Sequence, residues 1–156
     1  MYHYTECGLP NVYLKNGFTE SKSPYGKLVT FHDIKGLHVL IGNTIVMKPG
    51  RLDSTEIRFI RKELGLSQLA LAKLIGVKEI TYRTWEGNKQ INVTADRLLR
   101  TLYKEFIDKN SDAYALVTLL ADLDSKVQKA RIELSVEKRS NSWKLESKVG
   151  GYAVVE

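Results

Sequence analysis

Cysteine is almost missing: Cys7 is the only one in 156 residues. A single thiol closes no intrachain disulfide and builds no cysteine-rich zinc site, so stability has to come from packing. Long apolar runs are also missing, and none approaches the roughly 20 residues needed to cross a bilayer. The opening stretch Met1-Tyr2-His3-Tyr4-Thr5-Glu6 has neither a basic n-region nor an apolar h-region, so a cytoplasmic protein with no membrane partner is expected. Catalytic patterns are wanting as well. There is no nucleophile-elbow glycine pattern, phosphate-cradling glycine loop, histidine metal motif or convincing carboxylate pair, and the expectation is a protein that is not an enzyme and uses no cofactor. His3 with Cys7, and His32 with His38, lack the compact spacing of common zinc motifs, so no metal site is expected and these histidines read as structural or solvated. No internal repeat or low-complexity segment occurs.

What is present is an ordinary globular composition, 43% hydrophobic and 27% charged, in a chain long enough for one core with a smaller appended unit. The net charge of +6 is unevenly spread. Residues 51–110 carry 12 lysines and arginines against 8 acidic residues, whereas residues 111–156 carry 7 of each. A local basic excess suits a polyanionic partner, although many metabolic enzymes are equally basic.

Three segments are expected. Residues 1–50 read as a small β-rich unit, in which Val12-Tyr13-Leu14 and Leu28-Val29-Thr30-Phe31 favour strands and Ser23-Pro24-Tyr25-Gly26 marks a hairpin turn. Tyr2, Tyr4 and Tyr13 suit the core of such a unit better than a partner-binding surface. Leu37, Leu40 and Ile41 follow helical spacing over a short stretch, and Pro49-Gly50 marks a boundary. Residues 51–110 read as helices. Asp53 with Glu56 makes a capping box for a first, with Ile57, Ile60 and Leu64 on one face before Gly65. Ser67 caps a second that ends at Gly76, Lys78 to Glu86 make a third with Tyr82 and Trp85 inward, and Thr94 starts a fourth with the stripe Leu98, Leu99, Leu102 and Phe106. Residues 111–156 read as a helix capped by Ser111 over 111–123, then a hairpin in which Ile132, Leu134 and Val136 alternate, turn at Arg139-Ser140-Asn141-Ser142, and are answered by Trp143, Leu145 and Val149. The fold class is mainly α with small β additions.

The informative run is Ser67-Gln68-Leu69-Ala70-Leu71-Ala72-Lys73-Leu74-Ile75-Gly76-Val77, followed by Thr81, Trp85-Glu86 and Ile91. It resembles the lambda-repressor-like helix-turn-helix proteins, also called the XRE family, over about a third of the chain. Ala72 is small where two helices cross, and Gly76 allows the positive φ of a tight turn. One departure is that the family has Glu, any residue, then Gly, where this chain has Glu86-Gly87-Asn88; Asn88 is then expected in the left-handed region, which Asn tolerates. Arg61 and Glu86 match a pair that in the family forms a partly buried salt bridge.

The resemblance implies that the third helix enters the major groove of double-stranded DNA. The implied DNA-facing set is Gln68, Lys78, Glu79, Ile80, Arg83, Thr84 and Lys89. Arg83 suits guanine, Glu79 suits cytosine N4, Ile80 or Thr84 suits a thymine methyl, and Gln68 and Lys89 suit phosphates. The function expected is a sequence-specific transcriptional regulator, a repressor-type homodimer on a roughly palindromic operator. The alternative is an antitoxin-like protein that autoregulates through the helix-turn-helix and binds a protein partner through a flanking segment. Without the surrounding motif, the charged residues of the third helix would read as a solvated face.

Overall fold

The computed structural model describes residues 1–108, 115, 127–139 and 142–154. The chain forms two compact units, Met1–Val117 and Thr118–Glu156. In the first unit, β1 (Tyr2–His3) pairs antiparallel with β2 (Tyr13–Leu14), and β3 (Phe18–Ser23) pairs with β4 (Gly26–Phe31). The Ser23↔Gly26 pair closes the turn expected at Ser23-Pro24-Tyr25-Gly26. Five helices are described: α1 (Ile34–Met47), α2 (Ser54–Glu63), α3 (Gln68–Ile75), α4 (Glu79–Glu86) and α5 (Val93–Ile107).

Helix starts follow the capping residues. Asp53 and Glu56 close a full capping box on α2, and the Ser67 side chain accepts from Ala70 N at the start of α3. Helix α5 begins ahead of the expected Thr94, because the Asn92 side chain accepts from Ala95 N and so caps the helix. Its inward face also differs from the expected stripe: Leu99 and Leu102 are buried as foreseen, but Tyr103 fills the next position and Phe106 is 39% exposed. The helix expected over 111–123 lies outside the described residues.

The larger correction concerns residues 34–47, expected to give only a short helical stretch within a β-rich unit. They form a helix of 14 residues, capped by Asp33, which accepts from Gly36 N. Leu37, Ile41, Ile45 and Val46 turn toward α2 and α5, with Ile45 and Val46 buried outright. The core is therefore continuous across Pro49-Gly50: Tyr4, Leu14 and Val46 belong to the same buried cluster as Ile57, Leu71, Tyr82, Trp85 and Leu99.

Polar ties reinforce this continuity. The Arg100 guanidinium on α5 donates to the carbonyls of Val46 (2.9 Å), Lys48 (2.8 Å) and Gly50, giving a partner to an acceptor in the last turn of α1 and to two just beyond it. Asp96 holds Arg100 Nε at 3.0 Å and accepts from Leu52 N at 2.9 Å, which fixes the approach to α2. On the other flank, His38 of α1 bridges Tyr4 Oη (2.9 Å) and Glu63 Oε1 of α2 (2.7 Å). In the second unit, β5 (Val127–Arg139) and β6 (Ser142–Val154) form the expected hairpin, in register from Arg139↔Ser142 to Val127↔Val154 with two irregularities.

Helices α1 and α5 meet at Gly42, which is buried, and a methyl group built there would overlap the Tyr103 hydroxyl. That overlap is with a fully buried ring that cannot swing away. Gly42→Ala is expected to lower stability by about 1–3 kcal/mol despite alanine's better helix propensity, measured as the urea midpoint of unfolding. An unchanged or raised midpoint contradicts the close α1–α5 contact.

Candidate nucleic-acid interface

Helices α2, α3 and α4 pack so that one side of α4 is sealed and the other is open. Ala72 is fully buried where α3 meets α4, and Gly76 at φ 80° reverses the chain, with the N–H groups of Gly76 and Val77 both returning to the Ala72 carbonyl at 3.0 Å. On α4, Tyr82 and Trp85 are 0% and 3% exposed, and their rings meet edge to face at 5.9 Å.

Glu86 ends the buried side of α4 and organises its surroundings. Its carboxylate, 3% exposed, accepts from Arg61 Nε (2.6 Å) and Nη2 (3.2 Å), Gln68 Nε2 (2.8 Å) and Tyr82 Oη (2.9 Å). Arg58 Nη2 donates to the Glu86 carbonyl at 3.0 Å, and Arg61 Nη1 donates to the Leu66 carbonyl between α2 and α3 at 3.1 Å. The pair of Arg61 and Glu86 is therefore the expected salt bridge, extended by a tyrosine and a glutamine. Burial opposes ionisation of Glu86, but the hydrogen bonds from Arg61, Gln68 and Tyr82 outweigh it and hold the carboxyl below its ordinary value. The bond to Glu86, against the cost of burial, holds Arg61 above its own ordinary value. Burial and the neighbouring carboxylate push the Tyr82 hydroxyl well up, so it stays a donor.

The exit from α4 accommodates the departure at Glu86-Gly87-Asn88. Asn88 takes φ 84°, and Lys89 N donates to the Thr84 carbonyl at 2.9 Å, the six-to-one bond of a left-handed helix stop. Ser54 Oγ at the start of α2 donates to Asn88 Oδ1 at 3.0 Å. Arg51, Asn88, Lys89 and Gln90 line a polar cleft of about 320 Å³ beside this turn.

The other side of α4 carries the side chains singled out from the sequence. Lys78, Ile80 and Arg83 are exposed, Glu79 and Thr84 are half-buried, and Lys89 is exposed just beyond the helix. Arg83 Nη2 donates to Glu79 Oε1 at 2.7 Å, and Thr84 Oγ1 donates to the Thr81 carbonyl at 2.7 Å. Gln68 stands apart from the others: half-buried in the first turn of α3, it gives one amide N–H to Glu86. Two residues complete the picture. Thr81, noted from the sequence only as part of the motif, is exposed one turn after Lys78 and before Thr84. Arg58, which sequence reasoning missed, lies three residues before Arg61 and reaches the end of α4; that helical spacing was the available clue.

Comparison with known proteins agrees with this geometry. Residues 57–100 match the family model described as Helix-turn-helix. This segment is a helix-turn-helix domain of the lambda-repressor-like, XRE type. The match spans under a third of the chain, from the middle of α2 to the middle of α5. No curated protein and no solved structure matches the chain. Among the described residues, no group of three or more His, Cys, Asp or Glu is placed to hold a metal ion. His3 bonds the Pro10 carbonyl, His32 bonds Thr19, and the buried Cys7 Sγ donates to the Tyr4 carbonyl.

Because Glu86 ionises more readily folded than unfolded, the stability it contributes is fully present above its ordinary value of 4.5 and fades as pH falls through the lower folded value. At pH 7, Glu86→Gln is expected to cost about 3 kcal/mol by leaving Arg61 buried without a counter-charge. Urea unfolding of both proteins between pH 7 and pH 3 should show the gap constant down to about 4.5 and shrinking below it. A gap that widens on acidification contradicts the assignment.

Proposed function

We propose that this protein is a sequence-specific transcriptional regulator that binds duplex DNA through the outward side of α4. The observation that carries the reading is the contrast along one short helix: Tyr82, Trp85 and Glu86 are locked inward, while Lys78, Ile80, Thr81 and Arg83 stand open to solvent. A helix so anchored enters a major groove with its N-terminal residues toward base edges. Arg83 then meets guanine, Ile80 or Thr84 a thymine methyl, and Lys78 and Lys89 the flanking phosphates. Gln68 sits at the N-terminus of α3, where its remaining amide N–H and the helix amides face the backbone phosphate. Glu79 belongs to the same set.

The protein acts as a homodimer in this reading, because one helix-turn-helix reads too few bases for strong specificity. The β5–β6 ribbon supports it. Val136 in β5 pairs with Leu145 in β6, and Val136 is 55% exposed. A two-stranded ribbon by itself is marginal in water, so a ribbon of this length calls for a partner surface. A second reading, an antitoxin-like protein with a protein partner on residues 1–50, is favoured by one observation: Tyr13, Leu40 and Met47 are 56%, 65% and 74% exposed in that segment. If it holds, the chain purified from its native host carries a stoichiometric second protein that Leu40→Glu releases.

Selection on random duplex DNA is expected to return an approximate palindrome with half-site centres about 34–36 Å apart, or a multiple of that. Arg83→Ala should weaken binding to it by roughly tenfold or more and Lys78→Ala by less, both without loss of folding. Trp85→Ala should instead lower stability by about 3–5 kcal/mol. Log affinity should drop by about 0.9 per neutralised phosphate for each tenfold rise in salt. A flat salt response, or equal unfolding in all three variants, removes the site assignment.

A further inference from the structure

We propose that Glu79 positions Arg83 and acts on DNA only through it, its carboxylate holding the guanidinium so that the remaining edge meets guanine. This deepens the operator-binding reading and rests on it. The two residues are one helical turn apart, with Arg83 Nη2 donating to Glu79 Oε1 at 2.7 Å. The Arg83 side chain is 58% exposed and that of Glu79 only 33%, so the carboxylate is the better anchored partner and the guanidinium the one held outward. Glu79 also occupies the first turn of α4, where the helix dipole favours a negative charge.

An exposed pair of this spacing adds little to folding stability, so stability does not explain it. Its effect falls on the arginine's freedom. A lone arginine on a helix explores many rotamers and loses them on docking, whereas a guanidinium already tied at one nitrogen has lost part of that freedom beforehand. Engaging one of its five N–H donors leaves a fork for the two acceptors of guanine. The carboxylate gains in turn, since a bare negative charge entering a groove walled by phosphates is repelled more strongly than one paired with Arg83. Glu79 therefore serves selection at the arginine's base pair. The separate contact to cytosine expected from the sequence is replaced by this role.

The test measures binding of wild type, Glu79→Gln, Arg83→Ala and the double variant by fluorescence anisotropy. Three kinds of duplex are used: the selected operator, operators with one base pair exchanged in both half-sites, and a random sequence. Arg83→Ala identifies its base pair by losing about tenfold discrimination at one position. Glu79→Gln is expected to lose most of the discrimination at that same position, and the double variant no more than Arg83→Ala alone. Removing the negative charge should also raise affinity for the random duplex severalfold, an effect that a purely structural role would not produce. Discrimination lost at a different base pair, or retained in full by Glu79→Gln, overturns the positioning role while leaving operator binding intact. Failure of wild type to prefer any duplex overturns operator binding and, with it, the positioning role.

Discussion

The buried carboxylate of Glu86 is the constraint on which the helix-turn-helix geometry depends. Taking one ion out of water costs several kcal/mol, and only close donors with good geometry offset it. Here the donors come from Arg61 on α2, Gln68 on α3 and Tyr82 on α4 itself. Every helix of the motif thus has to stay in place for the charge to remain solvated by protein. Apolar packing of Trp85 and Tyr82 fixes the depth of α4 but tolerates sliding; the carboxylate, with its directed bonds, does not. Position and rotation of the outward side of α4 follow from it.

A second layer of ties extends that rigidity into residues 1–50. Arg100 collects three carbonyls between Val46 and Gly50, and Asp96 on the previous turn of α5 takes the Leu52 amide. The link between α1 and α2 is therefore held by α5 and is not a free hinge. His38 links Tyr4 to Glu63, the last residue of α2, two residues after the arginine that binds Glu86. The N-terminal strands, α1 and the helix-turn-helix consequently share one core, and a strain on the N-terminal flank is felt in α2 through packed side chains.

Local chemistry was legible in the sequence, and packing between distant segments was not. Caps at Asp53 and Ser67, the left-handed Gly76 and Asn88, and the union of Arg61 with Glu86 all depend on a residue's own stereochemistry or on a motif with fixed spacing. Helix α1 was underestimated because the helical spacing is visible only over Leu37, Leu40 and Ile41, and Gly36 and Gly42 lower the propensity around it. Gly42 is there for Tyr103, sixty-one residues away, a reason no local window contains. The same distance effect hid the inward turn of Tyr103 and left Phe106 in its place in the expected stripe. Gln68 shows the limit in the candidate interface: its position was readable, but the pull of Glu86 on its amide came only with three helices assembled. The ion pair between Glu79 and Arg83 was within reach of sequence, since residues four apart on a helix are neighbours.

The two sides of α4 handle charge in opposite ways, and that contrast bears on selectivity. Inward, an ionised carboxylate is so fully engaged by Arg61, Gln68 and Tyr82 that it becomes part of the scaffold. Outward, Lys78, Arg83 and Lys89 are set against one carboxylate, a small positive excess beside an exposed Ile80. A stronger excess would raise affinity for every duplex alike, because phosphate contacts are blind to sequence. What matters for a regulator among many competing sites is the ratio of specific to non-specific binding. In the proposed reading, a carboxylate placed on the arginine itself would lower the non-specific part while leaving the arginine's fork available, which would shift that ratio without adding a single new contact to the bases.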